Sequence, residues 1–343
     1  MAGRATLADV ASAVGVSVAT VSKVLNDHAD VAPGTRRRVQ QQLRDSSYRV
    51  TGNGRRRSRL EGTVEVEFPS LENPYVVSVL DGIMDAARAE YLDVAIGPQV
   101  RDNTAAFEPQ TLRRSSRIGA IFITVDAAAA PVATLIEDGF PTVVVDPVRR
   151  AGSCVSIGAT NFSGGLSATE HLLGLGHRRI AHAAGPRQVD CSQARLAGYL
   201  SALSEAGLRS DDDLIVSSPF TYAGGRASAA HLLDLPDRPT AIFAAGDEIA
   251  LGIMEEARLR SIRVPEDLSI VGFDDTYLAS RSAPPLTTVA QPLVEMGRLA
   301  VRSLSQLING NFQGTSHLEM ATHLVLRKST APVPTGRVRP GRD

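Results

Sequence analysis

The N-terminal fold is set by the stretch Thr6-Leu-Ala-Asp-Val-Ala-Ser-Ala-Val-Gly15-Val-Ser17-Val-Ala-Thr-Val-Ser-Lys23-Val-Leu-Asn26. Apolar residues recur at helical spacing before Gly15 and again after Ser17, which predicts two helices joined by a turn. Glycine adopts a turn conformation that is closed to most residues, and Ser17 can cap the second helix through its hydroxyl. A unit of this kind can lay one helix in the major groove of DNA, although a plain helical hairpin would show the same pattern.

Charge is distributed unevenly along the chain. Residues 1–60 contain 11 Lys and Arg against 4 Asp and Glu, a net charge of +7, whereas the whole chain of 343 residues carries −1. Residues 61–343 therefore carry −8. A short basic run is usually only a solvated surface, but this excess coincides with the two-helix pattern. A basic head on an acidic body is typical of a DNA-binding module joined to a domain that does not bind DNA.

A third helix and a linker follow the two-helix unit. Val39 and Leu43 have the spacing of the buried side of a helix, so we expect a helix-turn-helix headpiece over residues 1–50. Residues 51–62 are polar and rich in glycine and arginine, which predicts a linker.

Residues 63–330 alternate short β-rich runs with amphipathic helical stretches, a pattern typical of parallel sheets with right-handed crossovers. The predicted strands are 64–68, 92–96, 118–124, 142–146, 179–184, 214–217, 241–244 and 268–273. The predicted helices include 76–90, 163–175, 193–206, 227–233, 248–258 and 293–308. A break near 158–161 divides the run into two similar halves, so we expect an α/β core of two lobes, each a doubly wound parallel sheet. Their strand ends would face one cleft, where open sheets bind ligands. Residues 331–343 are expected to form a disordered tail.

The sequence lacks the signals that mark several other classes of protein. The N-terminus has no apolar signal segment, and no run approaches the roughly 18 apolar residues of a membrane span, so we expect a cytoplasmic protein without a membrane partner. Cys154 and Cys191 lack Cys-x-x-Cys spacing, which argues against a zinc site or a disulfide framework. No cofactor or metal is expected.

Ordered motifs recur along nearly the whole chain. In the body they are Leu71-Glu-Asn73-Pro74-Tyr75, Asn161-Phe-Ser-Gly-Gly165, His171-Leu-Leu-Gly-Leu-Gly-His177-Arg-Arg-Ile180, Ala194-Arg195-Leu-Ala-Gly-Tyr199, Val271-Gly-Phe-Asp-Asp275 and Pro284-Pro-Leu-Thr-Thr288. These motifs, and the headpiece, resemble the LacI/GalR (lactose-repressor/galactose-repressor) family of transcriptional regulators. The resemblance implies a periplasmic-binding-protein-like core and a homodimeric repressor on a palindromic operator. It also implies a small carbohydrate-like effector that enters the cleft and changes DNA affinity.

The resemblance assigns DNA contacts in the headpiece. Three residues would face base edges: Val18, Ala19 and Lys23. Six would contact the DNA backbone: Thr6, Ser17, Thr20, Ser22, Asn26 and Tyr48. Only Lys23 has a long polar side chain among the base contacts, so we expect sparse direct readout.

The linker departs from the family pattern. Val50 and Thr51 stand where the family has a Pro-Asn pair, and Arg57 stands where it has a leucine that wedges into the minor groove. We therefore expect Arg55, Arg56 and Arg57 to read minor-groove width by charge.

The resemblance also assigns effector contacts in the core: Asn73, Asp146, Arg195, Phe220, Asp247 and Gln291. Arginine and carboxylates can satisfy neighbouring sugar hydroxyls, and an aromatic ring can cover an apolar sugar face. Taken alone, each of these residues would more often be part of a surface ion pair or of the core. The family's Asn-Asp pair is Gly246-Asp247 here, so one amide ligand is missing.

An enzyme and a solute-binding protein of the same core fold are the alternative functions. The sequence has no GxxxxGK[ST] phosphate loop, GxSxG elbow or HExxH motif. Asp274 and Asp275 are neighbours on a predicted strand end and should point to opposite faces, while His171, His177 and His182 lack metal-ligand spacing. A solute-binding protein would need a signal peptide and no helix-turn-helix. We therefore expect a regulator that is not an enzyme.

Overall fold

A computed structural model describes residues 7–25, 31–45, 62–97, 112, 115–152 and 154–333. These residues fall into two compact units, one before residue 60 and one after it. Six of the predicted DNA contacts lie outside the described residues: Thr6, Asn26, Tyr48, Arg55, Arg56 and Arg57. The predicted linker up to residue 61 and the tail beyond residue 333 also lie outside them.

The headpiece contains three helices, α1 (Leu7–Val14), α2 (Val18–Leu25) and α3 (Pro33–Asp45). Gly15 joins α1 to α2 with a φ of 70°, in the left-handed region that favours glycine. The Ser17 hydroxyl caps α2 by accepting the backbone N–H of Thr20 at 3.1 Å. A small apolar core joins the helices and includes Val10, Ala11, Val21, Val24, Val31 and Val39. The predicted helix-turn-helix is confirmed.

The first lobe of the body is built on a six-stranded sheet. Its strands are β1 (Gly62–Glu67), β2 (Leu92–Ile96), β3 (Arg117–Ile123), β4 (Thr142–Val145), β5 (Val155–Ala159) and β11 (His317–Met320). Its described helices are α4 (Pro74–Glu90), α5 (Ala130–Glu137) and α11 (Leu293–Ile308). The strands are all parallel, in the order β11-β5-β4-β3-β1-β2. Helices α4 and α11 pack on one face through Val79, Ile83 and Met296, which are fully buried.

The second lobe has a sheet of the same size. Its strands are β6 (Ile180–Ala184), β7 (Ile215–Ser217), β8 (Ala241–Ala244), β9 (Ser269–Asp274), β10 (Thr287–Ala290) and β12 (His323–Val325). Its helices are α6 (Asn161–Gly174), α7 (Asp190–Glu205), α8 (Tyr222–Leu233), α9 (Asp247–Leu259) and α10 (Tyr277–Arg281). The order is β12-β10-β9-β8-β6-β7, and only the edge strand β12 runs antiparallel to its neighbour. The predicted α/β core of two doubly wound sheets is confirmed.

The chain crosses between the lobes three times. The crossings lie between β5 and α6, between β10 and α11, and between β11 and β12. Two of them are joined by a hydrogen bond of 2.9 Å between the hydroxyls of Thr160 and Thr322. The sequence predicted one break near 158–161 and two contiguous halves, which is wrong in one respect, because α11 and β11 return to the first lobe. Local periodicity identifies an element but not the sheet on which it packs.

Element boundaries differ from the predictions mainly at helix starts. The helix predicted from residue 76 begins at Pro74, and the side chain of Asn73 caps it by accepting the N–H of Tyr75 at 2.9 Å. Four strands and two helices were not predicted: β5, β10, β11, β12, α5 and α10. The body also continues past residue 330, because the N–H of Val333 donates to the carbonyl of Leu175. Among the described helices, none is long and apolar enough to cross a membrane.

Candidate functional site

The second helix of the headpiece presents the predicted base contacts on its outer side. Val18 is 46% exposed, and Ala19 and Lys23 are also exposed, while Thr20 and Ser22 are half-buried. The opposite side of α2 packs through Val21 and Val24 against the other two helices. Because its inner side is packed, α2 is held rigidly and can present its outer side to a DNA groove.

A cavity of about 230 Å³ lies between the two lobes, at the carboxyl ends of their strands. Both lobes contribute to its lining, which is Pro69, Asn73, Pro74, Tyr75, Thr124, Asp146, Val148, Val189, Cys191, Arg195, Phe220, Gly246, Asp247, Glu248, Ile249, Asp274 and Thr276. Five of the six predicted effector residues line it, and Gln291 does not. Doubly wound sheets bind their ligands at this position.

Arg195 on α7 lines the cavity and is almost completely buried. Its Nε donates to Asn161 Oδ1 at 2.8 Å, and its Nη1 donates to the carbonyl of Ala245. The guanidinium carbon lies 3.7 Å from the ring centroid of Phe273, a cation–π contact in a desolvated setting. Nη1 is also 3.6 Å from Asp274 Oδ1. These contacts fix the orientation of the guanidinium before any ligand enters.

Asp247 uses its carboxylate inside the second lobe. Oδ2 accepts the N–H and the hydroxyl of Thr276 at 2.7 and 3.0 Å, and Oδ1 accepts the hydroxyl of Thr288 at 2.6 Å. The side chain thereby connects the start of α9 to β10 and to the loop after β9. The role of Asp247 as an effector contact stays a prediction. Because the side chain also joins these elements, its removal should disturb the cavity wall.

Asp274 was not predicted as an effector contact, yet it faces the cavity at the end of β9. Gln291 Nε2 donates to its Oδ1 at 2.6 Å, so the predicted contact Gln291 lies behind this carboxylate. The neighbouring Asp275 instead pairs with Arg327 at 2.6 Å, in agreement with the expectation that the two side chains diverge. The signal for Asp274 was its position at the carboxyl end of a predicted strand.

Burial raises the pKa of Asp247 and Asp274, two second-lobe carboxyls that line the cavity. The pKa of Asp274 is raised to about 7 against the opposing pull of Arg195. The pKa of Asp247 is raised to about 8, by burial first and by the charge of Asp274 second. Burial and mutual repulsion oppose the ionisation of both carboxyls at once, so the pair holds a proton near neutral pH.

The free energy of unfolding should therefore fall as pH rises from about 4 to 8. An unfolded aspartate releases its proton near pH 3.9, so in this window the folded state binds more protons than the unfolded state and loses stability as pH increases. Asp274→Asn removes one member of the pair. The loss of unfolding free energy between pH 4 and pH 8 should therefore be smaller in this variant by at least about 1.4 kcal/mol, the value of one pKa unit. Urea unfolding at pH 5, 6, 7 and 8 measures the slope. Asp267→Asn is the control, because hydrogen bonding to Arg263 lowers the pKa of that carboxyl. An equal slope in Asp274→Asn and the parent would contradict the assignment.

Several strand ends at the cavity have left-handed backbone. The φ angles of Thr124, Asp146 and Asp274 are 52°, 48° and 109°. Such conformations cost on the order of 1–3 kcal/mol each and concentrate at functional sites. They aim short polar side chains from the sheet ends into the cavity.

Tyr75 adds a polar group that was not predicted. It is 6% exposed, it lines the cavity, and its hydroxyl has no hydrogen-bond partner among the described residues. An unpaired buried hydroxyl costs free energy unless a ligand or water satisfies it. Burial also raises the pKa of Tyr75 well above its usual value, so the group is a neutral donor and acceptor.

The histidines that could have suggested a metal have separate partners. His171 bonds to Thr330, and His182 bonds to the carbonyl of Phe243. His177 bonds to Thr240, to Ser269 and to the carbonyl of Ala331. Within the described part of the chain, no group of three potential ligands could hold a metal ion.

Two family models match this chain. Residues 6–50 match the model described as "Bacterial regulatory proteins, lacI family", and residues 169–330 match the model described as "Periplasmic binding protein-like domain".

Individual relatives match across nearly the whole chain. The HTH-type transcriptional regulator DegA of Bacillus subtilis is 32% identical over 357 residues, which covers 97% of this chain and 100% of the relative. A solved complex of the transcriptional regulator CelR with cellobiose is 31% identical, has a TM-score of 0.71, and covers 95% of this chain and 100% of its own. The lac repressor dimer bound to operator and the anti-inducer ONPF is 27% identical, has a TM-score of 0.70, and covers 96% of this chain and 100% of its own. The chain therefore belongs to the LacI family of bacterial transcriptional regulators.

Proposed function

We propose that the protein is a cytoplasmic, homodimeric repressor whose affinity for a palindromic operator is controlled by a sugar-like effector in the cleft. The proposal of an effector rests on the cavity between the lobes, which is lined by a buried arginine, by carboxylates and by an aromatic ring. The relatives support the extension to this chain, since CelR is solved with cellobiose and the lac repressor is solved on its operator.

The polar groups of the cavity suit a ligand with many hydroxyls. The carboxylates of Asp146 and Asp274 can accept from hydroxyl groups, and the guanidinium of Arg195 can donate to them. Phe220 offers an apolar ring for one face of a sugar ring. At Gly246 an added Cβ would come 3.4 Å from Asp274 and 3.5 Å from Phe220, so the glycine leaves space beside both. We propose that this space admits a ligand substituent.

The proposed mechanism follows from the placement of these groups on both lobes. Asp146 belongs to the first lobe, whereas Arg195 and Phe220 belong to the second, so a ligand that contacts all three binds the closed arrangement better than an open one. Closure about the crossings would shift the first lobes against each other in the dimer and stop the linkers from ordering on the operator. The protein would act by binding alone, without a chemical step.

Two measurements test this proposal on the full-length protein. Selection from random DNA should yield a palindromic site, and a thermal-shift screen of monosaccharides and disaccharides should yield a stabilising sugar. A ligand at 100 times its dissociation constant stabilises the fold by about 2.7 kcal/mol. The sugar should then change the affinity for the selected site. A protein that selects DNA but is stabilised by no sugar would remove the sugar class. A stabilising sugar that leaves DNA affinity unchanged would remove the regulatory link.

We expect dimer contacts along α4. Val77 and Met84 lie two helical turns apart on this helix and are 41% and 44% exposed. Met84→Glu should raise the dimer dissociation constant about 10- to 150-fold, because burying such a side chain stabilises an interface by about 1.5–3 kcal/mol. Sedimentation velocity over a concentration series measures this change. Leu326→Glu, at an exposed apolar residue after β12, is the control. Equal dissociation constants for Met84→Glu and the parent would place the interface elsewhere.

A further inference from the structure

The lobes also touch beside the first crossing. Asp190, the first residue of α7 in the second lobe, accepts the backbone N–H of Arg150 at 3.0 Å. The same oxygen lies 3.5 Å from Nε of Arg150, and the N–H of Asp190 donates to the carbonyl of Val148 at 2.9 Å. Arg150 and Val148 follow β4 in the first lobe. One residue thus makes three polar contacts across the gap between the lobes.

The first-lobe side of this contact is held in place independently. Asp126, which is buried, accepts Nε and Nη2 of Arg149 at 2.9 and 2.5 Å. The backbone supports the same attachment, because the N–H of Ala127 donates to the carbonyl of Arg149 at 3.2 Å. The loop that carries Arg150 is therefore pinned to its own lobe. If the lobes separate, the loop cannot follow Asp190, and the contacts must break.

A second cavity of about 130 Å³ borders this contact. It is lined by Arg150, Asp190, His317 and Glu319 together with residues of the first crossing. Four of the polar side chains at this cavity already have partners, since Arg150 Nε lies 3.5 Å from Asp190 and His317 bonds to Glu319 at 3.3 Å. This space is better explained as a gap that the lobes close by touching than as a second ligand site.

We infer that Asp190 is a positioning residue for lobe closure, a latch on the crossing side that stabilises the closed arrangement before the effector binds. The inference rests on the proposed function, because closure matters only if closure controls DNA binding. Asp190 does not line the cavity in which the effector is proposed to bind, so the latch acts through the angle between the lobes. Loss of the latch should lower the ratio of closed to open protein about three- to tenfold, the effect of one or two net hydrogen bonds.

Distance measurement between spin labels tests the latch without any ligand. Labels on Glu137→Cys in the first lobe and Ser210→Cys in the second lobe report the separation, because both positions are exposed and both native cysteines are buried. Pulsed electron paramagnetic resonance on full-length protein, diluted with unlabelled chains, gives the distance distribution. Asp190→Ala should add a longer-distance population. Arg150→Ala should add less of it, since the backbone N–H remains.

The chain offers a closely matched control. Asp267 accepts the backbone N–H of Arg263 at 3.0 Å and its Nε at 2.8 Å, the same chemistry within one lobe. Asp267→Ala should leave the distance distribution unchanged. If Asp190→Ala matches the parent, or if Asp267→Ala shifts the distribution equally, Asp190 is not a latch. Failure of the sugar screen would leave this result untouched, so the two proposals can fail separately.

Discussion

Operator affinity should fall by roughly three to five decades when salt rises from 50 to 200 mM, if the dimer makes on the order of 6–10 phosphate contacts. Residues 1–60 carry a net charge of +7, and each neutralised phosphate releases a condensed counterion whose gain in entropy shrinks as salt is added. The remaining residues carry −8 and should repel DNA. The headpiece and linker must therefore supply the affinity.

Fluorescence anisotropy on the selected palindrome at several salt concentrations measures this slope. The chain has only two lysines, Lys23 on α2 and the exposed Lys328 in the body, which form a matched pair of variants. Lys23→Ala should relax the preference at one base pair of each half-site by about 1–3 kcal/mol, and Lys328→Ala should change nothing. If Lys23→Ala weakens all sequences equally, Lys23 contacts phosphate only. Operator binding that is insensitive to salt would contradict the electrostatic assignment altogether.

Arg195→Ala should lower the free energy of unfolding by about 3–5 kcal/mol, because it removes one partner of a buried charged cluster. Asp274 would lose its cation, and Asn161 Oδ1 and the carbonyl of Ala245 would lose their donor. Effector affinity should fall about five- to 150-fold, because a ligand hydroxyl is left unpaired. Arg195→Lys keeps the charge but not the planar fork, so it should recover part of the stability and little of the affinity.

Denaturant unfolding and two DNA titrations, with and without the sugar, separate these effects. Arg258→Ala is the control, since its ion pair with Glu255 lies on the surface, where solvent screening leaves it little effect on stability. Below its unfolding transition, Arg195→Ala should still bind the operator when no sugar is present. A folded Arg195→Ala that loses operator binding, or that responds to the sugar like the parent, would remove Arg195 from the effector site.

The headpiece could be predicted from sequence because its signals are local. Gly15 marks the turn, Ser17 marks the cap, and the apolar spacing marks the buried side of each helix. The body was predictable only as a series of elements. Leu293–Ile308 was predicted as a helix, but its partners on α4 lie more than 200 residues earlier, and no local pattern indicates them. Sheet membership depends on such distant contacts.

The site shows the same division. Five of the predicted effector residues line one cavity, yet their hydrogen-bond partners were not predictable. The carboxylate of Asp247 is engaged by Thr276 and Thr288 from two other elements, and Gln291 lies behind Asp274. Side-chain networks join residues that are far apart in sequence, so a list of residue types at matching positions does not show which groups remain available to a ligand.

The return of α11 to the first lobe has a consequence for how the protein is made. Met296, Ala300 and Leu304 of this helix are buried in the first-lobe core, and β11 adds an edge strand after them. During synthesis, the first lobe follows the DNA-binding head in the chain, but its core cannot close until residues 293–320 have been made. By then most of the second lobe has already been synthesised. A prematurely terminated chain would carry a DNA-binding head on an unfinished lobe, exposing apolar surface that proteases and chaperones recognise. Because of this order of elements, chains that end before α11 should be removed, and the DNA-binding head should persist only on chains whose first lobe is complete.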